Sequence, residues 1–260
     1  MLDSLYIGAT GMQAQQMNID AIANNLANVN TAGFKRSRID FEDLLYRTVA
    51  TAGMTTSGQA LALNKTGMGT AIASTGKVFT EGDIKKTGEP MDLAINGQGF
   101  FEILMPDSSL AYTRNGAFQL NADGMLVMRG GQRLNASVQV PVDTISLRVD
   151  PDGRVFATVA AEKQPVELGQ IELVSFQNPT GLSAVGDNLF VATDRSGVAM
   201  PGYPGENGAG TLSQGFLESS NVRLIDEMIA LIVAQRAYEI NAKVVQASDE
   251  LLNISNSLYR

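Results

Sequence analysis

The chain has 260 residues, 44% of them hydrophobic, which is enough for one large domain or two small ones with a real core and excludes a disordered polymer. Its 27 acidic and 19 basic residues leave a formal charge of −8, which argues against a surface built to neutralise phosphates, so no nucleic-acid partner is expected. Cys, His and Trp are absent, which removes disulfides, zinc fingers, Cys- or His-centred catalysis and the usual soft metal ligands.

Residues 1–30 contain Asp3 and Asp20 but neither Lys nor Arg, so no cleaved secretory leader is expected. No apolar run approaches the ~20 residues of a membrane span. From Leu5 the chain sets Leu5, Ala9, Met12, Gln16, Ile19, Ala23, Leu26 and Asn30 at alternating steps of four and three. That is the seam of a helix packed along a partner helix. The stripe stops in an Asn-rich run, Asn24, Asn25, Asn28 and Asn30, followed by Gly33, residues that tolerate the left-handed geometry of helix ends. Lys35, Arg36 and Arg38 then form the one basic cluster, read as a solvated stretch past a helix end. Residues 48–76 carry a single charge before the cluster of β signals, Lys65, among Ala, Thr, Gly and Ser, and are expected to form an extended arm.

From about 78 to 212 the punctuation is that of an all-β region, with Asn96-Gly97, Asn115-Gly116, Asp123-Gly124 and Asp152-Gly153 between short runs rich in β-formers. Phe101, Ile103 and Met105 share one face of a strand, as do Val155, Ala157 and Val159. Residues 202–210, rich in Gly and with two prolines nearby, read as an exit linker. Beyond it Val233, Ala237, Ile240, Val244, Ala247, Leu251, Ile254 and Leu258 repeat the four-three alternation with no polar interruption. Ser219, Ser220 and Asn221 can cap this helix, Asp226 and Glu227 suit its positive end, and Glu239 to Lys243 is a favourable pair one turn apart. A helix over 222–258 would be roughly 55 Å long. The fold class is α+β: long N- and C-terminal α-helices forming a coiled-coil-like pair, with a central all-β domain.

Catalytic motifs fail on inspection. Ser74 to Lys77 fits S-x-x-K, and Lys65-Thr66-Gly67 and Lys86-Thr87-Gly88 fit K-T-G, but Gly76 makes a poor helix start and no S-D-N element exists. A phosphate loop fails at Ala71 and Val78, and Gly97-Gln98-Gly99 leads to Glu102 where a dinucleotide fingerprint needs a third Gly. Asp150 and Asp152 sit on a turn signal, where Asp is favoured for backbone reasons. No catalytic, cofactor-binding or metal-ligating residue is expected.

The run ANNLANVNTAGFKRSR at 23–38 resembles the N-terminal signature of the bacterial flagellar basal-body rod and hook family, and AQRAYEINAKVVQASDELL at 234–252 resembles its C-terminal signature. GEPMDLAINGQGFF at 88–101, AYTRNGAFQLNADGMLV at 111–127 and GTLSQGFLESSNV at 210–222 resemble the family's central segments in the same order. The length and single middle β-domain most resemble the distal-rod branch, with another rod or hook subunit as the alternative, and an adhesive β-module on a coiled-coil stalk further off. The signature positions are Asn24, Asn25, Asn28, Asn30, Gly33 and Phe34. The resemblance implies residues 1–32 and 216–260 as an inner helical tube, 33–77 as a connecting arm and 78–215 as the outer β-rich domain. It implies a non-enzymatic subunit of a rigid hollow drive shaft in the basal body, spanning the periplasm to the outer membrane. Its partners would be further copies in an open helical homopolymer, the proximal rod proteins, the hook protein, the periplasmic and outer-membrane ring bushing and the flagellar type III export apparatus, with no small-molecule substrate. The subunit interface is expected on Leu5, Met12, Ile19, Leu26, Val233, Ala237, Ile240, Val244, Ala247, Leu251, Ile254 and Leu258, and a protease-resistant core is expected near 40–215.

Overall fold

The computed structural model describes residues 2–49, 64–159, 164–206 and 208–258, so residues 50–63 of the expected arm lie outside the described part. The chain divides into two compact units, one of Met1–Leu26, Ser37–Gly76 and Arg223–Arg260, the other of Ala27–Arg36 and Lys77–Val222. The architecture is α+β, with a helix at each end and a β-rich middle.

In the first unit α1 runs over Leu2–Ala27 and α2 over Leu224–Leu258. Strand Ser37–Asp43 pairs with Thr70–Lys77, and Tyr46–Val49 pairs antiparallel with Asn64–Gly67. The described part of the arm is therefore two β-ribbons. On α2, Asp226 and Glu227 occupy the first turn, where the N-terminal dipole favours carboxylates. Glu239 pairs with Arg236 at 2.7 Å, one turn back, in place of the expected Lys243.

The second unit is built on a nine-stranded antiparallel sheet whose central strand, Phe100–Leu104, is buried on both faces. Side chains alternate across it, so Phe101 and Ile103 join Leu93, Ile95, Phe118, Val155, Ala157 and Ile171 in one core. Phe100 joins Tyr112, Val174, Phe176 and Phe190 in a second, where Phe79 meets Phe100 and Phe190 edge-on at 5.4 and 5.1 Å. Asp123-Gly124 and Asp152-Gly153 turn two hairpins, with Gly124 at φ 76° and Gly153 at φ 86°. The described residues 202–206 and 208–210 are part of this unit instead of a linker. Met200–Gly202 pairs with Leu173–Ser175, and the Gly210 N–H donates to the Gln98 carbonyl at 2.7 Å.

What closes the second unit is a buried ion cluster. Lys35 lies on the segment after α1, Arg114 just past strand Leu110–Thr113, and Glu218 at the end of strand Phe216–Glu218; they are 1%, 4% and 2% exposed. Lys35 Nζ donates to one Glu218 oxygen at 2.6 Å and Arg114 Nε to the other at 2.8 Å. Further hydrogen bonds hold the cluster: Lys35 to the Thr80 carbonyl, Arg114 Nη1 to the Gly97 and Gly99 carbonyls, and the Gly82 N–H to Glu218. Burial pushes the Glu218 carboxyl up, but Arg114 and then Lys35 outweigh it and hold it below its usual value. Burial also pulls Lys35 below its usual value, more than the attraction of Glu218 raises it, and Arg114 adds its repulsion. Lys35 is thus not the solvated residue its sequence neighbourhood indicated. A core cut at 40–215 would lack both Lys35 and Glu218.

Two outcomes follow from this cluster. A fragment of residues 27–222 should fold, whereas 40–215 should not, as read by near-ultraviolet circular dichroism and a cooperative thermal melt. Glu218→Gln leaves two buried cations uncompensated and should cost about 3–5 kcal/mol in urea unfolding of the full chain at neutral pH. Because the folded carboxyl titrates below the ordinary glutamate value of 4.5, its stabilisation is present above that value and is lost as pH falls through the folded value. The gap between the parent and the variant should close over that acid range.

Candidate assembly surface

In the first unit the two helices lie side by side and antiparallel. A Cβ placed on Gly8 would stand 2.7 Å from Val245 Cγ2, one on Gly11 would stand 2.8 Å from Asn241 Nδ2, and Asn25 Nδ2 donates to Glu227 at 3.2 Å. The partner numbers fall as the α1 numbers rise. Such close approach favours small residues, because a side chain at Gly8 would have to displace Val245 and one at Gly11 the Asn241 amide.

The face of α2 turned inward carries Glu227, Ala230, Ala234, Ala237, Asn241, Val245, Ser248, Leu252 and Ser255, at steps of three and four. Glu227, Ala234 and Ser248 on it are buried. This stripe is mostly small and polar, with Val245 and Leu252 as its larger apolar members, and it shares only Ala237 with the apolar stripe read from periodicity. Val233, Ile240, Val244, Ala247, Leu251 and Ile254 are exposed, Ile240 at 60% and Leu251 at 55%. Leu224, Ile225, Met228, Ile229 and Ile232 extend the exposed apolar surface towards the start of the helix. The side chain of Leu258 lies outside the described ones. On α1, Leu5, Met12, Ile19 and Leu26 are half-buried, while Gly8, Ala14, Ile22 and Asn25 are buried.

The Asn-rich signature resolves into separate roles. Asn25 Oδ1 accepts the Ser37 N–H at 2.8 Å and its Nδ2 donates to the Ser37 carbonyl at 2.9 Å, which fastens the returning chain to α1. Asn28 accepts the Thr31 N–H and hydroxyl in the turn after the helix, whereas Asn24 and Asn30 are exposed. Gly33 sits at φ 69°, where a Cβ would meet the Asn115 nitrogen at 2.5 Å, and donates its N–H to the Glu218 carbonyl at 2.8 Å. Phe34 is buried, with Lys77 Nζ 4.4 Å above its ring. That contact and the placement of Ser74 on strand Thr70–Lys77, where its hydroxyl donates to Asp40, leave no helix on which S-x-x-K chemistry could be set up. Among the described residues no group of three or more Asp, Glu, His or Cys side chains is placed to hold a metal ion.

Three family profiles match successive parts of the chain: "Flagella basal body rod protein" over 5–35, "Flagellar hook protein FlgE/F/G D1 domain" over 94–157 and "Flagellar basal body rod FlgEFG protein C-terminal" over 213–258. The flagellar basal-body rod protein FlgG of Borreliella burgdorferi is 46% identical over 264 residues, covering 100% of both chains. The proteins of that name from Buchnera aphidicola and Caulobacter vibrioides are 43% and 40% identical, over 97% and 99% of this chain and 98% and 99% of theirs. The matches follow the order helix, β-region, helix and define a structural component of the bacterial flagellum. The chain belongs to the flagellar basal-body rod family, and it is a structural subunit of that rod.

Removing the Asn25 amide strands two backbone groups of Ser37, so Asn25→Ala should destabilise the first unit by about 1–3 kcal/mol. Hydrogen exchange should quicken at Ser37 and along α1, and remain unchanged in the strand Phe100–Leu104.

Proposed function

We propose that this chain forms the distal segment of the flagellar rod, polymerising helically into a rigid hollow shaft that transmits motor torque to the hook and lets exported subunits pass. The observation that carries the reading is the outward apolar stripe of α2, left open while a small, polar stripe serves the contact with α1. Leu5, Met12, Ile19, Leu26, Val233, Ile240, Val244, Ala247, Leu251, Ile254 and Leu258 are then the seams that pack, in coiled-coil fashion, against neighbouring copies, with Ala237, half-buried on the face towards α1, at their border. Contacts between different patches of successive subunits do not close on themselves, so they generate an open helix.

In this reading residues 1–32 and 216–260 form the inner layer, 33–77 the middle layer and 78–215 the outer wall. The chain works without a catalytic step or a cofactor, since the task is mechanical. Further partners are the proximal rod proteins, the hook protein, the ring bushing in the periplasm and outer membrane, and the export apparatus. The whole-length similarity to proteins named for the rod supports the assignment.

Ile240→Asp tests it. The side chain is exposed in the single chain, so the variant should fold and melt like the parent, yet it should fail to polymerise, because assembly would bury an unpaired carboxylate. Electron microscopy of the purified variant and parent decides the matter, and normal rods from Ile240→Asp would overturn the proposed seam.

A further inference from the structure

The chain passes between its two units after Leu26, Arg36, Gly76 and Val222. Within the second unit, one side chain ties the segments beside three of those crossings. Asn221 Oδ1 accepts the Arg36 N–H at 2.8 Å, and Asn221 Nδ2 donates to the Val78 carbonyl at 2.7 Å and to the Thr80 carbonyl and hydroxyl at 3.2 and 3.0 Å. The Val78 N–H closes the set on the Arg36 carbonyl at 2.9 Å. One step further in, the Gly33 N–H and Lys35 Nζ reach Glu218, and the Ser219 N–H reaches the Asp83 carbonyl. Asn221 stands where a helix cap was expected, yet α2 begins at Leu224 and both functions of the amide are spent on these segments.

We infer that Asn221 is a mechanical stitch: it gathers the connecting segments of the second unit so that force arriving along them is shared before it reaches the sheets. The inference rests on the reading of the chain as a torque-carrying rod subunit. The physical case is one of sequence position. Force applied near residue 30 and residue 223 meets the Gly33–Glu218 and Arg36–Asn221 links before any strand of the large sheet. The first of these links is a backbone hydrogen bond and the second runs through the Asn221 side chain, with few ladder bonds between the segments they join. Without the amide, the segments at 36 and 78 keep the Val78–Arg36 backbone bond to each other but lose their tie to the segment at 221, which can then be peeled away from them. Asn suits the position because it offers an acceptor and two donors on one short, uncharged side chain. A carboxylate could hold the Arg36 N–H but could donate nothing to Val78 or Thr80.

The absence of Cys allows unique handles on the full chain. Single-molecule pulling between Asn30→Cys and Arg223→Cys loads the stitch directly. Pulling between Asp143→Cys and Asp194→Cys, both exposed in the second unit, loads the sheets by another route. Asn221→Ala should lose the high-force rupture in the first geometry and keep the parent's force in the second, with Asn221→Asp falling between the parent and Ala. An equal loss in both geometries, as from a variant that no longer folds, or no loss in the first, would overturn the stitch. The measurement uses single chains, so a parent chain that fails to build rods would sink the proposed function and leave this result standing. In cells, rods built with Asn221→Ala should be of normal length and should fail when swimming is loaded by a viscous medium; undiminished torque under load would overturn the inference.

Discussion

A carboxylate held away from water by two cations sets the terms for the second unit. Glu218 is nearly the last residue of that unit, Lys35 is among the first, and Arg114 comes from its middle, so no two of the three are neighbours in sequence. Taking three charges out of water costs several kcal/mol each before their attraction is counted, and a well-packed apolar trio could be equally stable. What the ions add is directionality. The segments at 33–36, 80–83 and 218–221 do not sit in the large sheet, and apolar side chains would let them slide. A carboxylate with both oxygens engaged, one of them also by the Gly82 N–H, holds them at one register. Closure of the unit is consequently a long-range event that awaits both flanks of the chain.

The first unit solves a different problem with different residues. Its helices approach mainly through glycine, alanine, serine and asparagine, with Val245 against Gly8, so the contact leaves the apolar stripe of α2 exposed. Had Ile240, Val244 and Leu251 faced α1, the pair would have been a self-sufficient hairpin with a polar exterior. In the observed arrangement the apolar residues face outward. A polar hydrogen-bonded pair, Asn25 with Glu227, is buried at one end of the contact, where it favours one alignment of the helices.

Much of this was readable beforehand, and the exceptions share a cause. Both helices, the Asp123-Gly124 and Asp152-Gly153 hairpins and the inward faces of Phe101, Ile103, Val155 and Ala157 follow from local chemistry and period, which short windows contain. The inward stripe of α2 had the same period as the apolar one but consists mostly of small and polar residues, whose burial depends on how near a partner helix comes. Gly8 and Gly11, three apart on α1, were the available signal for it. Lys35 looked solvated because its neighbours Arg36 and Arg38 are charged, and its carboxylate partner is 183 positions away. Asn221 was legible as a polar residue before a helix, a position that most often caps; only the fold brings Arg36, Val78 and Thr80 around it. Buried charges and stitches between distant segments leave no mark in a window of sequence.

For assembly through the proposed seam, the magnitudes favour cooperativity. Fully burying one Val, Leu or Ile side chain contributes about 1.5–3 kcal/mol, and the exposed members on α2 are already partly shielded, so each offers less than that. Bringing one subunit to another costs an estimated 4–15 kcal/mol in lost translational and rotational freedom. Two or three such side chains buried in a single pairwise contact would hardly offset this. A stripe engaged along its length, by neighbours on more than one side, would. The same feature that leaves an isolated chain with an uncovered apolar stripe therefore favours addition at a site where several copies already present their own, which is the condition at the growing end of a polymer and not in a chance encounter between two free chains.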